Sequence, residues 1–187
     1  MRTLLALALI ATPMMAGPSS SATAPVKVRI VAPCHIQSSG ELNFGTVLME
    51  DYVVGGAISV TAKTAAGGTS QATNPTYVGC SNFKNSDMSV AEFHYRHDIN
   101  FPVNITIQGH VIDPTNVSGV VTHGTVDLGT QGVKLAVTTD APADPCMLFT
   151  PISGVEDKHF GIGGLLTIPA GVFGVQTGTV KVSIAYN

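Results

Sequence analysis

Gly178-Thr179-Val180-Lys181-Val182-Ser183-Ile184-Ala185-Tyr186-Asn187 carries the clearest alternation in the chain. Val180, Val182, Ile184 and Tyr186 fall on one side, and Lys181, Ser183 and Ala185 on the other. Successive side chains of a strand point to opposite faces. A period of two with β-branched residues on the apolar side therefore reads as a half-buried antiparallel strand.

The same period recurs upstream. Val133, Leu135 and Val137 alternate with Lys134, Ala136 and Thr138, and Val103, Ile105 and Ile107 with Asn104, Thr106 and Gln108. Phe93 and Tyr95 alternate with Glu92, His94 and Arg96. Earlier runs are GGAISVTAK, holding Ile58 and Val60, and ELNFGTVLM, opened by Leu42 and Phe44. Turn-formers separate them: Gly55-Gly56, Gly67-Gly68, Asp113-Pro114, Gly163-Gly164 and Pro169-Ala170-Gly171. No stretch beyond the N-terminus has a helical stripe. About nine short strands so punctuated predict an all-β, immunoglobulin-like antiparallel sandwich. Ala65 to Asp87, polar and Gly-rich, is expected as a long loop or edge excursion. Ala141 to Asp157, with three prolines, is expected to be irregular. No internal repeat or second domain is evident.

The N-terminus reads as a secretory signal over residues 1–22. Arg2 supplies a cation, Leu4 to Ala11 an apolar run, and Pro13 a helix break before small residues. The run is too short to span a bilayer. Cleavage after Ala16 or Ala22 satisfies the small-residue rule. Ala22 is preferred, with Ser20 at −3. The mature protein is then expected to pass through the periplasm to the cell surface or medium, without membrane insertion. Residues 23–33 form an N-terminal extension holding VKVRIVA, and residues 34–187 form the domain.

Charged residues are 11 % of the 187, against roughly 25 % in an average soluble domain. Net charge is −3, with no cationic run. Nucleic acid is therefore not expected as a partner, since it requires clustered cations to displace counterions. Cys34, Cys80 and Cys146 show no C-x-x-C spacing. In an oxidising compartment they count as one disulfide and one thiol, with three pairings open.

No catalytic, cofactor or metal site is expected, and the protein reads as a non-enzyme. His94 and His97 lie three apart on a strand, so they face opposite sides and do not converge on one metal. They read as surface and strand-end residues. There is no G-x-S-x-G elbow. Glu41, Asp51, Glu92 and Asp127 lie on different runs. Gly161-x-Gly163-Gly164 sits in a strand pattern rather than before a helix, so it marks a bulge or bend, not a phosphate cradle.

Three features carry a family resemblance in their order along the chain. Glu41-Leu42-Asn43-Phe44-Gly45 follows the export signal and alternating extension. Phe160-Gly161-Ile162-Gly163-Gly164-Leu165-Leu166-Thr167-Ile168 comes much later, then a glycine-containing turn and the final strand. Together they resemble a bacterial family of small secreted β-sandwich proteins of unknown function. That family is similar to spore coat protein U and the pilin-like subunits of chaperone–usher systems. The tyrosine usual in the last turn is replaced here by Phe173 or Val175.

The resemblance implies a pilin-like sandwich lacking one strand, and a structural role in a surface fibre such as a fimbria, with a part in cell adhesion. Val26, Val28, Ile30 and Ala32 would be the donor strand that completes a neighbouring subunit. Val180, Val182, Ile184 and Tyr186 would form the strand presented to a periplasmic chaperone. An outer-membrane usher and other pilin-like subunits would be further partners. Cys34 opens the domain as in similar subunits, which favours a Cys34–Cys80 disulfide. The competing expectation is a stand-alone secreted binding or adhesive module using loops 65–87 and 141–157. The alternation of the extension suits either a strand of its own sandwich or a donated one.

Overall fold

The computed structural model describes residues 23–65, 69–112, 120–143 and 152–187. The expected signal, Cys146 and the turns at Gly67-Gly68 and Asp113-Pro114 lie outside them. The described chain divides into two units, residues 23–30 and Val31–Asn187.

Residues 23–30 contain neither strand nor helix. Val26, Val28 and Ile30 are 92 %, 82 % and 86 % exposed.

The second unit is all-β. Its described strands are β1 (His35–Ser39), β2 (Asn43–Met49), β3 (Gly56–Ala65), β4 (Thr69–Val78), β5 (Cys80–Ser89) and β6 (Ala91–Asp98). They continue with β7 (Val103–Ile107), β8 (His110–Ile112), β9 (Val121–Leu128), β10 (Val133–Thr139), β11 (Val155–Ile168) and β12 (Val182–Tyr186). All pairings are antiparallel. Seven strands form one sheet, ordered β1-β6-β11-β10-β9, with β3 on β11 and β4 on β3. β12-β7-β8 and β2-β5 form two smaller sheets. Residues of all three sheets contribute to one core, a sandwich-like arrangement.

Alternation predicted the inward residues of several strands. Ile58, Val60 and Ala62 of β3, Val103, Ile105 and Ile107 of β7, and Val133, Leu135 and Val137 of β10 are all buried. In β12, Val182, Ile184 and Tyr186 are only half-buried, with Ser183 and Ala185 exposed. Val180 is also half-buried but precedes the strand.

Several expectations are corrected. The described part of Ala65 to Asp87 is not a long loop but fits the other expectation, an edge excursion: β4, at the edge of the large sheet, and most of β5 lie within it. At Gly79, with φ of 62°, the chain turns from the large sheet into the small one. Gly163-Gly164 is not a turn but the interior of the fourteen-residue β11. There β11 leaves β6, its partner up to Ile162, and pairs with β3 from Gly164. A Cβ at Gly163 would collide with the Val60 carbonyl, and one at Gly164 with that of Ala136. Glycine lets the backbones close up at the change of partner. Ala32 is half-buried and belongs to the domain. Its carbonyl accepts a hydrogen bond from the Tyr186 hydroxyl, whose oxygen also accepts from the Asp98 amide at 2.9 Å.

Cys34 and Cys80 are not bonded to each other. The Cys34 thiol is directed at the Ile184 carbonyl on β12, 3.8 Å away. The Cys80 thiol is buried against the Ala57 carbonyl on β3, at 3.4 Å. The two side chains are committed to different strands, and burial pushes the Cys80 thiol pKa up.

Candidate functional site

The domain holds a cavity of about 1320 Å³. Its floor is apolar: Phe93, Leu128, Val133, Leu135, Leu166 and Ile168 of the large sheet. One wall is the unbroken run Gly40 to Tyr52, containing β2, and the other is the run Val172 to Val180. Alternate residues of a strand line a surface when the strand lies flat on it. An unbroken run means that the strand presents its edge. Among the described residues β2 pairs only with β5, so its second edge carries no ladder. The cavity is therefore an apolar trough between two chain edges, floored by the core. Val180 lines it, whereas Val182, Ile184 and Tyr186 pair with β7.

The mouth of the trough is also apolar. Tyr52 and Phe173 meet edge to face with ring centroids 5.7 Å apart, and Val53 and Val175 are 79 % and 91 % exposed. Glu41, Glu50 and Asp51 border the trough and are exposed.

A second cluster lies on β6 and β11. His94 and His97 are not at the surface: they are 3 % and 6 % exposed. His94 stands opposite His159 in the ladder, and their rings stack with centroids 5.8 Å apart. The Glu92 carboxylate lies 3.3 Å from His94 Nε2 and accepts from the Ser70 amide. Burial lowers the His94 pKa, while Glu92 opposes that shift. His159 is fully buried, and neither ring nitrogen has a hydrogen-bond partner among the described residues. At the next same-face position of the ladder, Arg96 grips Asp157 through two hydrogen bonds, at 2.7 and 2.9 Å. On the other face of β6, His97 Nδ1 lies 2.9 Å from the Asp98 carbonyl and 3.1 Å from that of Phe101, pinning the turn into β7. Among the described residues no group of three or more His, Cys, Asp or Glu side chains is arranged to hold a metal ion.

The profile of the DUF4402 family, described as a domain of unknown function, matches residues 34–186. The chain belongs to that family. The match takes in every described strand, the trough and the buried histidines. It leaves the extension outside. Neither the curated proteins nor the solved structures include a match to this DUF4402 chain.

Sequence reasoning found Phe93, Val133 and Leu135 of the floor as strand residues, but not Leu128 and not the trough itself, since an open edge leaves no mark on alternation. It missed the pairing of Arg96 with Asp157 and of His94 with His159. The period-two pattern placed His94 and Arg96 on a polar face, and at Glu92 and Gly161 that side of the sheet is met by Ser70 and Thr64 of the β3–β4 pair. Ser70 bonds Glu92, and the Thr64 hydroxyl accepts from the Gly161 amide at 3.1 Å.

Proposed function

We propose that this protein is a structural subunit of an exported surface fibre, with an immunoglobulin-like, pilin-like sandwich assembled by donor-strand exchange. The observation that carries the proposal is the trough between the open edge of β2 and the run Val172 to Val180. An apolar floor beside an unpaired edge is an aggregation hazard unless another strand fills it. An alternating segment from a neighbouring chain meets both needs, through main-chain hydrogen bonds to the edge and side chains to the floor.

Val26, Val28 and Ile30 are the donated side chains in this proposal. Each contributes on the order of 1.5–3 kcal/mol if fully buried. Residues 23–30 form neither strand nor helix of their own, which supports a segment that becomes a strand on meeting another chain. Before assembly a periplasmic chaperone would occupy the trough, and an outer-membrane usher would exchange its strand for that of the next subunit. Export through the inner membrane by residues 1–22 is part of the same proposal. Ala32, whose carbonyl accepts a hydrogen bond from the Tyr186 hydroxyl, stands at the domain end of the donated segment.

Val28→Asp tests the proposal. The substitution places a carboxylate where the donated strand would be buried, which is costly without a partner. The expected outcome is a protein with wild-type melting temperature that no longer assembles, measured by calorimetry and light scattering. A lowered melting temperature with unchanged oligomeric state would place the segment in its own sandwich instead. The exposed Tyr52–Phe173 pair at the mouth favours a second proposal, a stand-alone secreted module that binds an apolar ligand in the trough. A wild-type protein that stays monomeric would favour it.

A further inference from the structure

The rim of the trough carries charge, and so does the extension. Along β2, Thr46 and Leu48 are exposed while Val47 and Met49 are half-buried, and Glu50 just beyond the strand is exposed again. The chain bends at Glu50, and Asp51 beyond the bend is exposed as well, so the two carboxylates lie at one end of the open edge. Neither forms an ion pair among the described residues. Asp51 accepts a hydrogen bond from the Val53 amide at 3.0 Å, which leaves its charge uncompensated.

A strand added along β2 brings its outward side chains beside the outward side chains of β2, because same-face neighbours on adjacent strands are the ones that touch. With Val26, Val28 and Ile30 on the floor, Lys27 and Arg29 point outward. They lie about 7 Å apart along a strand, so both reach one pair of neighbouring carboxylates. Glu41, at the far end of the run, is about 30 Å from Glu50 along an extended chain and is out of range of the same two cations.

We propose that the strand entering the trough comes from a second copy of this chain, selected by Lys27 and Arg29 meeting Glu50 and Asp51 at the rim. The inference rests on the strand-insertion proposal and adds the identity of the partner. One polypeptide carries both halves of the match, in a chain with only nine Lys and Arg and twelve Asp and Glu. A contact between different surfaces of identical chains is head-to-tail and extends into an open filament unless its rotation closes a ring.

The test uses full-length protein carrying Val28→Asp, which cannot donate its own strand, as acceptor. The probe is a synthetic peptide of residues 23–33. The peptide is made with the native sequence and with Lys27→Glu and Arg29→Glu. The acceptor is made with the native rim and with Glu50→Lys and Asp51→Lys, and its melting temperature verifies folding. Reversing charge on either side alone should weaken binding roughly tenfold, as expected of two exposed pairs turned repulsive. Reversing both should restore it to within about twofold, a coupling that separate structural effects do not produce. Binding of the native pair should weaken as salt rises. Equal affinity in all four combinations would overturn the charge selection and leave strand insertion standing. Tighter binding of the reversed peptide to the native rim would assign the trough to a different chain. Failure of the native peptide to bind either acceptor would defeat the strand-insertion proposal itself.

Discussion

His123 shows what burial does to a single titratable residue in this sandwich. It is 7 % exposed, and its Nε2 lies 2.7 Å from the Thr139 hydroxyl. Desolvation, with a smaller contribution from His110 nearby, lowers its pKa from 6.5 to about 4. In the unfolded chain the same ring takes up its proton as pH falls through 6.5. The folded form resists protonation until about pH 4, so the contribution of His123 to stability is complete above pH 6.5 and is lost between 6.5 and 4. The loss is at most about 3 kcal/mol. Denaturant titrations from pH 8 to 4 should show stability falling across that window, and His123→Gln should flatten the fall. An equal slope in both proteins would mean that other groups govern acid stability. His94, lowered by burial in the same direction, contributes alongside it. None of this was legible in the sequence. Period two assigns a residue to one of two faces, but does not reveal that both faces of β6 are covered.

At the scale of the element, alternation was readable wherever aliphatic residues carried it. β3, β7, β10 and β12 follow from the sequence with their inward residues correct. β4 and β5 do not, because Thr, Ser, Asn and Gln make up about half of the stretch Thr69 to Ser89 and its scattered apolar residues show no sustained alternation. Their strands are specified by partners instead: β4 by β3, and β5 by β2. β11 was legible as a strand, with Gly161, Gly163 and Gly164 read as a bulge or bend. Their use emerges only from the neighbours. Gly163→Ala should force the β3 and β11 backbones apart at Val60. We expect a loss of about 1–3 kcal/mol, the usual cost of overpacking a filled site. Thermal unfolding checks it, and an unchanged melting temperature would show that the sheet can spread there without cost.

At the scale of the whole molecule, the sequence reading divides an extension from a domain after Pro33, and the family match begins at residue 34. The compact unit begins at Val31, and within it the Ala32 carbonyl is tied to the hydroxyl of Tyr186. The trough could not be read from sequence, since it is an absence of pairing between two runs more than a hundred residues apart. The proposed role depends on that absence being filled by another chain. The Gly45 amide bonds the Asn43 side chain; the other amides of β2 that do not bond to β5 point along the open edge, where in an isolated subunit solvent takes the place of a partner strand. Hydrogen exchange over Asn43–Met49 therefore tests the central claim most directly, comparing assembled wild type with the Val28→Asp protein. The account predicts that these open-edge amides exchange slowly in the assembled protein and rapidly in the variant, while those of β7 and β10 are alike in both. Equal exchange of the β2 amides in the two proteins would contradict it.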